Sequence, residues 1–195
     1  MMHSRAVVVA MLLGLGPVAI QAQGGLTVKG GLSYGNVSNR GLLPGALDVR
    51  TGFAAGLSLS PSGSNLLGLG VDALYAERRL HSGSDADSRD LHYIDVPLYL
   101  QASLPVGEVA PFAYAGPQVS FELACHAGTG DCPNTGRPAQ SYAAVIGGGV
   151  RLGSHHGVSL EGRYIYGLTD LKLSTVTSSA SYKTRSFLFL AGFSF

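Results

Sequence analysis

The chain has 195 residues, 28 of them glycine, no tryptophan, only 13% charged residues and a formal charge of +1. That length suits one domain, and the even charge balance argues against a nucleic-acid binder, which should carry a basic patch. Beyond residue 22 there is no uncharged run of about 20 apolar residues, so no helix is expected to span a bilayer.

Residues 1–22 differ from everything after them. Met1 to Arg5 carry one positive charge, Ala6 to Ile20 are apolar and uncharged, and small residues surround Gln21 and Ala22. This is the pattern of a secretory signal peptide cut before Gln23, and the run is short for a membrane-spanning helix. A retained N-terminal anchor is the alternative. Cleavage removes Arg5 and leaves 12 basic and 12 acidic residues in a mature domain of residues 23–195. No cysteine lies near the cut, so a lipid-anchored N-terminus is not expected.

Eight segments with period-two alternation follow, each bounded by turn residues. Leu26 to Gly35 sets Leu26, Val28, Leu32 and Tyr34 against Thr27, Lys29 and Ser33. Val49 to Ser60 sets Val49, Phe53, Leu57 and Leu59 against Arg50, Gly52, Ala54, Gly56 and Ser58. Leu67 to Arg78 places Leu69, Val71 and Tyr75 opposite Gly70, Asp72, Ala76 and Arg78. In Leu91 to Leu104 the apolar set is Ile94, Val96, Leu98 and Leu100, and the other face holds Tyr93, Asp95, Tyr99, Gln101 and Ser103. Ala110 to Leu123 opposes Ala113, Ala115, Val119 and Phe121 to Tyr114, Gln118, Ser120 and Glu122. Ser141 to Leu152 carries Tyr142, Ala144, Ile146 and Val150 against Arg151, with Gly147 to Gly149 blurring the pattern. Gly157 to Leu168 opposes Val158, Leu160, Tyr164 and Tyr166 to Ser159, Glu161 and Arg163. Lys183 to Phe195 closes the chain with Phe187, Phe189, Ala191, Phe193 and Phe195 on one face and Ser186, Leu188, Leu190, Gly192 and Ser194 on the other.

Connections alternate between long polar loops (Asn36 to Asp48, Arg79 to Asp90, Ala124 to Gln140, Thr169 to Tyr182) and tight links (Pro61 to Asn65, Pro105 to Val109, Gly153 to His156). A closed antiparallel up-and-down meander of eight strands produces that alternation, with long loops at one end and short turns at the other. Strands of about 9 to 11 residues can cross a bilayer when the sheet closes and leaves no edge. The expected fold is therefore an all-β, eight-stranded antiparallel transmembrane β-barrel, apolar outside and polar inside, with short periplasmic turns and long external loops. Alternation alone does not distinguish this from a soluble barrel with a greasy cavity. The aromatic last strand and the girdle positions Tyr34, Tyr75, Tyr142 and Tyr166 favour the membrane.

Closing the barrel sends Lys29, Arg50, Asp72, Asp95, Glu122, Arg151, Glu161 and Arg163 inside, four acids and four bases. The interior of an eight-stranded barrel is about wide enough to be filled by side chains, so these charges are expected to pair and plug it. Leu188 and Leu190 point inward as well and favour a packed interior over a wet pore. Lys183 and Arg185, which share the phenylalanine face, must lie at the external rim. Cys125 and Cys132, in CHAGTGDC, are expected to form a disulfide in the third loop of an exported chain. Free thiols are the alternative, and adjacent residues supply too few ligands for a metal.

The runs YIDVPLYLQASLP, PFAYAGPQVSF, RYIYGLTDL and FLFLAGFSF resemble the outer-membrane β-barrel domain family that includes the PorT-like proteins and is similar in architecture to the small OmpX and OmpA-type barrels. The resemblance covers essentially the whole mature chain, and its motifs mark strands and turns rather than a reaction site. It implies location in the cell outer membrane among lipid and lipopolysaccharide. It also implies insertion by the outer-membrane assembly machinery, with Phe189, Phe193 and Phe195 as the C-terminal signal.

The functional expectation is a structural or surface-interaction protein with a plugged charged interior, no catalysis, no cofactor and no metal. A small passive pore is the alternative. The second alternative, a lipid-modifying enzyme, would draw on His155, His156, Ser159 and Glu161. Those histidines fall in a predicted periplasmic turn, and Ser159 and Glu161 face the lumen, away from lipid. In outer-membrane lipid A deacylases the catalytic histidine and serine sit two apart, whereas here the nearest spacing is three. Asp85 and Asp87 in the second loop read as a solvated tip.

Overall fold

A computed structural model describes residues 24–38, 48–61, 66–82, 84–127, 130–131, 139–153, 157–169, 171–175 and 178–195. Residues 1–23, and so the expected signal peptide, lie outside the described residues. Among those described, ten strands form: β1 Gly24–Ser38, β2 Asp48–Pro61, β3 Leu67–Ser82, β4 Ser84–Ser103, β5 Val109–Ala127, β6 Gly130–Asp131, β7 Gln140–Leu152, β8 Val158–Gly167, β9 Leu171–Thr175 and β10 Ser178–Ser194.

Eight of them make the wall in the order β1-β2-β3-β4-β5-β7-β8-β10, every pair antiparallel, and β10 closes it by pairing along β1 from Thr27↔Ser194 to Ser38↔Lys183. The expected eight-stranded closed barrel is therefore the fold. The strands are staggered. The row Tyr34, Phe187, Tyr164, Ile146, Ala115, Leu100, Leu69 runs strand to strand around the wall. Leu69 lies two residues before Val71, which pairs Leu59, so the row meets β2 at Pro61, whose β1 partner is Gly24. From position 34 to position 24 the circuit slips ten residues, and such a stagger tilts barrel strands by some 35–45°.

Two differences from the sequence reading have a physical cause. The stretch expected as a loop at Arg79 to Asp90 is mostly strand, because β3 and β4 continue past the apolar belt to Ser82↔Ser84. The third and fourth long loops likewise carry strand: β5 runs on to Ala127 and pairs β6, and β9 pairs the start of β10. A hydrogen-bonded hairpin standing in water needs no greasy face, so hydropathy does not mark where it ends. The apolar belt faces outward as expected: Leu26, Val28, Leu32, Phe53, Leu57, Leu98, Leu100, Ile146, Leu160, Phe187, Phe189 and Phe193 are all exposed.

Candidate functional site

The interior holds a concentrated polar cluster. Lys29 from β1, Asp72 from β3 and Glu161 with Arg163 from β8 meet in the lumen with exposures of 6%, 1%, 5% and 0%. Arg163 Nη2 donates to Asp72 Oδ2 and, at 2.7 Å, to Glu161 Oε1. Arg163 Nε donates to Glu161 Oε1 at 3.1 Å and to Tyr114 Oη at 2.8 Å. Lys29 Nζ lies 2.7 Å from Glu161 Oε2 and 3.4 Å from Asp72 Oδ2. Two carboxylates and two cations thus form a closed, formally neutral ring. Removing four ions from water costs several kcal/mol each, which only such mutual pairing and added hydrogen bonds offset.

Those added bonds come from two inward tyrosines. Tyr99 of β4 donates to Asp72 Oδ1 at 2.8 Å, and Ser58 Oγ of β2 lies 3.3 Å from its hydroxyl. Tyr114 of β5 donates to Glu161, and its ring lies 5.4 Å from Arg163 Cζ. The two phenol rings are in contact, centroids 4.6 Å apart. Each fits because the residue opposite it is glycine. Tyr99 stands beside Gly70 and Tyr114 beside Gly147, and a Cβ at either glycine would strike the phenol.

A second pair lies nearer the external end, where Arg78 Nη2 donates to Asp95 Oδ2 at 2.6 Å and the Arg78 guanidinium lies 4.5 Å from the Tyr93 ring centroid. Tyr93 in turn reaches Glu122 at 3.4 Å. At the end with the short turns, Arg151 donates to Pro61 O at 3.0 Å and to Ser60 Oγ at 3.2 Å, 5.7 Å over Phe112. Apolar side chains fill the remaining wall: Leu74, Val145, Ile165, Leu188 and Leu190 are all buried.

Of the eight predicted lumenal charges, the structure brings Lys29, Asp72, Glu161 and Arg163 together and sets Asp95 apart with Arg78. Glu122 is half-buried, Arg151 bonds neutral oxygens, and the Arg50 side chain lies outside the described residues. Sequence reasoning set Arg78 on the polar face without grouping it with Asp95, and missed the anchoring roles of Tyr99 and Tyr114. The available signal was their place on the charged face of β4 and β5. Buried atoms with no protein partner among the described residues are Arg163 Nη1, Arg78 Nε, Asp95 Oδ1, Gln118 Oε1 and Arg151 Nε.

Of the candidate catalytic residues, only Ser159 and Glu161 lie among those described. Ser159 is buried in the lumen, Glu161 is engaged by Lys29, Arg163 and Tyr114, and His155 and His156 lie outside the described residues. Asp85 and Asp87 belong to β4, their side chains outside the described set. Cys125 is buried beside Leu91 and Tyr93, while Cys132 lies outside the described residues, and the disulfide between them stays an expectation. Phe193 and Phe195 pack edge to face at 5.1 Å, and Phe189 contacts Phe187 at 6.0 Å. At the external rim Arg185 is exposed, 5.5 Å from the Tyr166 ring.

Comparison with known proteins agrees with this architecture. The family model described as outer membrane protein beta-barrel domain matches residues 21–173. Among solved structures the chain resembles Neisserial surface protein A, at 16% identity over 87% of this chain and 95% of that one, TM-score 0.55. It also resembles the attachment invasion locus protein Ail of Yersinia pestis, at 16% identity over 88% and 99%, TM-score 0.48. A third is the outer membrane protein OprG of Pseudomonas aeruginosa, at 13% identity over 88% and 96%, TM-score 0.48. At 16% identity the likeness to Neisserial surface protein A is one of fold. No curated protein sequence matches the chain.

Proposed function

The chain belongs to the outer membrane protein beta-barrel domain family, a small barrel of the outer membrane, and on that premise we propose that it is a non-catalytic structural or surface-interaction protein with a sealed interior. The observation that carries this reading is the ring of Lys29, Asp72, Glu161 and Arg163, braced by Tyr99 and Tyr114. Its members come from β1, β3, β4, β5 and β8, so the contacts cross the lumen rather than line it. An eight-stranded wall encloses little more than side-chain volume, and Leu188, Leu190, Val145 and Ile165 take up part of what the ring leaves. An ion entering would have to break charge-assisted bonds in a medium where unpaired charge is expensive.

With the lumen closed, the parts left to meet a partner are the hairpins and loops at the external end. The expected disulfide between Cys125 and Cys132 would pre-organise the third loop, since a covalent ring loses less entropy on binding. Outer-membrane lipid and lipopolysaccharide contact the wall, and the assembly machinery reads Phe189, Phe193 and Phe195. The finer kinship with PorT-like proteins and with OmpX and OmpA-type barrels is part of the same proposal, supported by the strand count and the alternation of long and short connections. Planar-bilayer recordings of the purified barrel test the sealed interior: no steady discrete openings are expected, and their appearance would overturn it.

A passive pore is the second reading, and the orphaned Arg163 Nη1, Arg78 Nε, Asp95 Oδ1 and Gln118 Oε1 favour it. Buried polar atoms without protein partners are where water sits. Arg151 Nε is the corresponding atom at the short-turn end, so water at these atoms would hydrate the lumen on both sides of the ring, and the two readings differ only in whether the ring opens. Absence of catalysis is tested by lipid A profiles of cells carrying Ser159→Ala and His156→Ala, which are expected to match wild type.

A further inference from the structure

On the outer wall, at the external end, four rings step across four strands. Phe53 of β2 contacts Tyr75 of β3 with centroids 5.5 Å apart, and Tyr75 stacks on His92 of β4 at 5.8 Å and 26°. His92 meets His126 of β5 edge to face, at 5.6 Å and 80°. His92 is half-buried and His126 exposed. The lumenal ring does not involve them, and an aromatic girdle needs no imidazole.

The two histidines share a face only because β5 is irregular. From Leu100 to Tyr93 of β4 the register with β5 is constant, ending at Tyr93↔Glu122; the next pair is His92↔Ala124, with Leu123 left over. Without that extra residue His92 would stand opposite Leu123, and His126 would fall on the opposite face of the wall. With it, Asp90↔His126 and His92↔Ala124 follow, so His126 becomes a diagonal same-face neighbour of His92 while Cys125 turns inward. Bulges of this kind re-aim side chains and recur beside functional sites.

We propose that His92 and His126 form a two-imidazole site for a borderline divalent transition-metal ion, of the copper, zinc and nickel class that imidazole prefers. Two rings ligating one ion through Nε2 at about 2.1 Å, at a tetrahedral angle, hold their centroids roughly 5 Å apart. The observed 5.6 Å closes to that value by a small side-chain rotation. His92 is already oriented: its Nδ1 lies 2.6 Å from Tyr75 Oη. With Nδ1–H donating to that oxygen, Nε2 keeps its lone pair for metal, the arrangement by which an outer partner fixes tautomer and ring direction. Asp90, opposite His126 in register on the same face, adds negative charge. No group of three or more His, Cys, Asp or Glu side chains among the described residues is arranged to hold a metal, so water completes the coordination and the ion stays exchangeable from the cell surface.

The test is copper(II) titration of the full, untagged barrel carrying His155→Gln and His156→Gln, followed by electron paramagnetic resonance. The expected result is one tightly bound equivalent with superhyperfine splitting from two nitrogens. His92→Gln and His126→Gln should each abolish that two-nitrogen spectrum, and Tyr75→Phe should weaken binding about tenfold while leaving it in place. A spectrum from one nitrogen, or binding unchanged by His126→Gln, overturns the site. His126 is exposed, so its substitution reads out binding even if the half-buried His92 variant fails to insert.

Discussion

Replacing Asp72 by Asn removes one negative charge from the centre of the barrel and leaves the shape of the side chain almost unchanged. In the wild type this fully buried carboxylate accepts from Arg163, from Tyr99 at 2.8 Å and from Lys29 at 3.4 Å. In the variant Arg163 and Lys29 share Glu161 alone, and the sealed ring carries a net positive charge. Removing one partner of a buried ion pair costs about 3–5 kcal/mol, which is roughly two to three and a half decades in the folding equilibrium. Lys29→Met in the same chain restores neutrality and leaves the Glu161, Arg163 and Tyr114 contacts in place. The double variant should therefore recover at least ~2 kcal/mol of the loss, a coupling expected only of groups that touch. The chain has no tryptophan, so unfolding in urea is followed in phospholipid vesicles by far-ultraviolet circular dichroism and by heat-modifiable migration on detergent gels. An Asp72→Asn barrel within ~0.5 kcal/mol of wild type, as for an ordinary surface change, would refute the ring as a source of stability. So would a double variant whose loss equals the two single losses combined.

Tyr99→Phe keeps the ring and removes its hydrogen bond to a carboxylate, so the same unfolding assay should register a loss of about 1.5–3 kcal/mol. Gly70→Val should block folding, read as loss of heat-modifiable migration, because the new side chain collides with the Tyr99 ring; adding Tyr99→Ala should restore part of the folded fraction. On the proposed assembly role of the last strand, deleting Phe195 is expected to lower recovery in the outer-membrane fraction while export continues. Thiol labelling of protein drawn from intact cells, before and after reduction, should show Cys125 and Cys132 reactive only afterwards.

Alternation made the wall legible from the sequence. Once eight period-two segments were placed with their greasy faces outward, the inward residues followed by parity, including the apolar pair Leu188 and Leu190, both now buried. Parity does not give height, and height decides which charges meet. Lys29, Asp72 and Arg163 are far apart in the chain and come together because the wall slips ten residues per circuit, a quantity no single strand reveals. Glu122 and Arg151 have the right parity, yet their hydrogen bonds run to Tyr93 and to the β2 end. The β5 bulge escaped for a related reason. Leu123 continues an unbroken apolar alternation in the sequence, and only the pairing with β4 shows that it has no partner.

The glycines on the inward faces have a specific part in the lumen. An eight-stranded barrel cannot carry a large inward side chain at every position, so a tyrosine on one strand needs a gap on the next. Gly70 lies opposite Tyr99 and Gly147 opposite Tyr114, and a strand slip that kept the greasy face outward would move each phenol by two residues. For Tyr99 one such slip ends at Asp72, where a side chain already stands. The other ends at Gly68, where the Pro61 ring already fills the space and the bond to Asp72 is lost. Sterics therefore oppose both neighbouring registers and the hydrogen bond disfavours the second as well, so the tyrosine and glycine pairs help to choose the register that builds the ring.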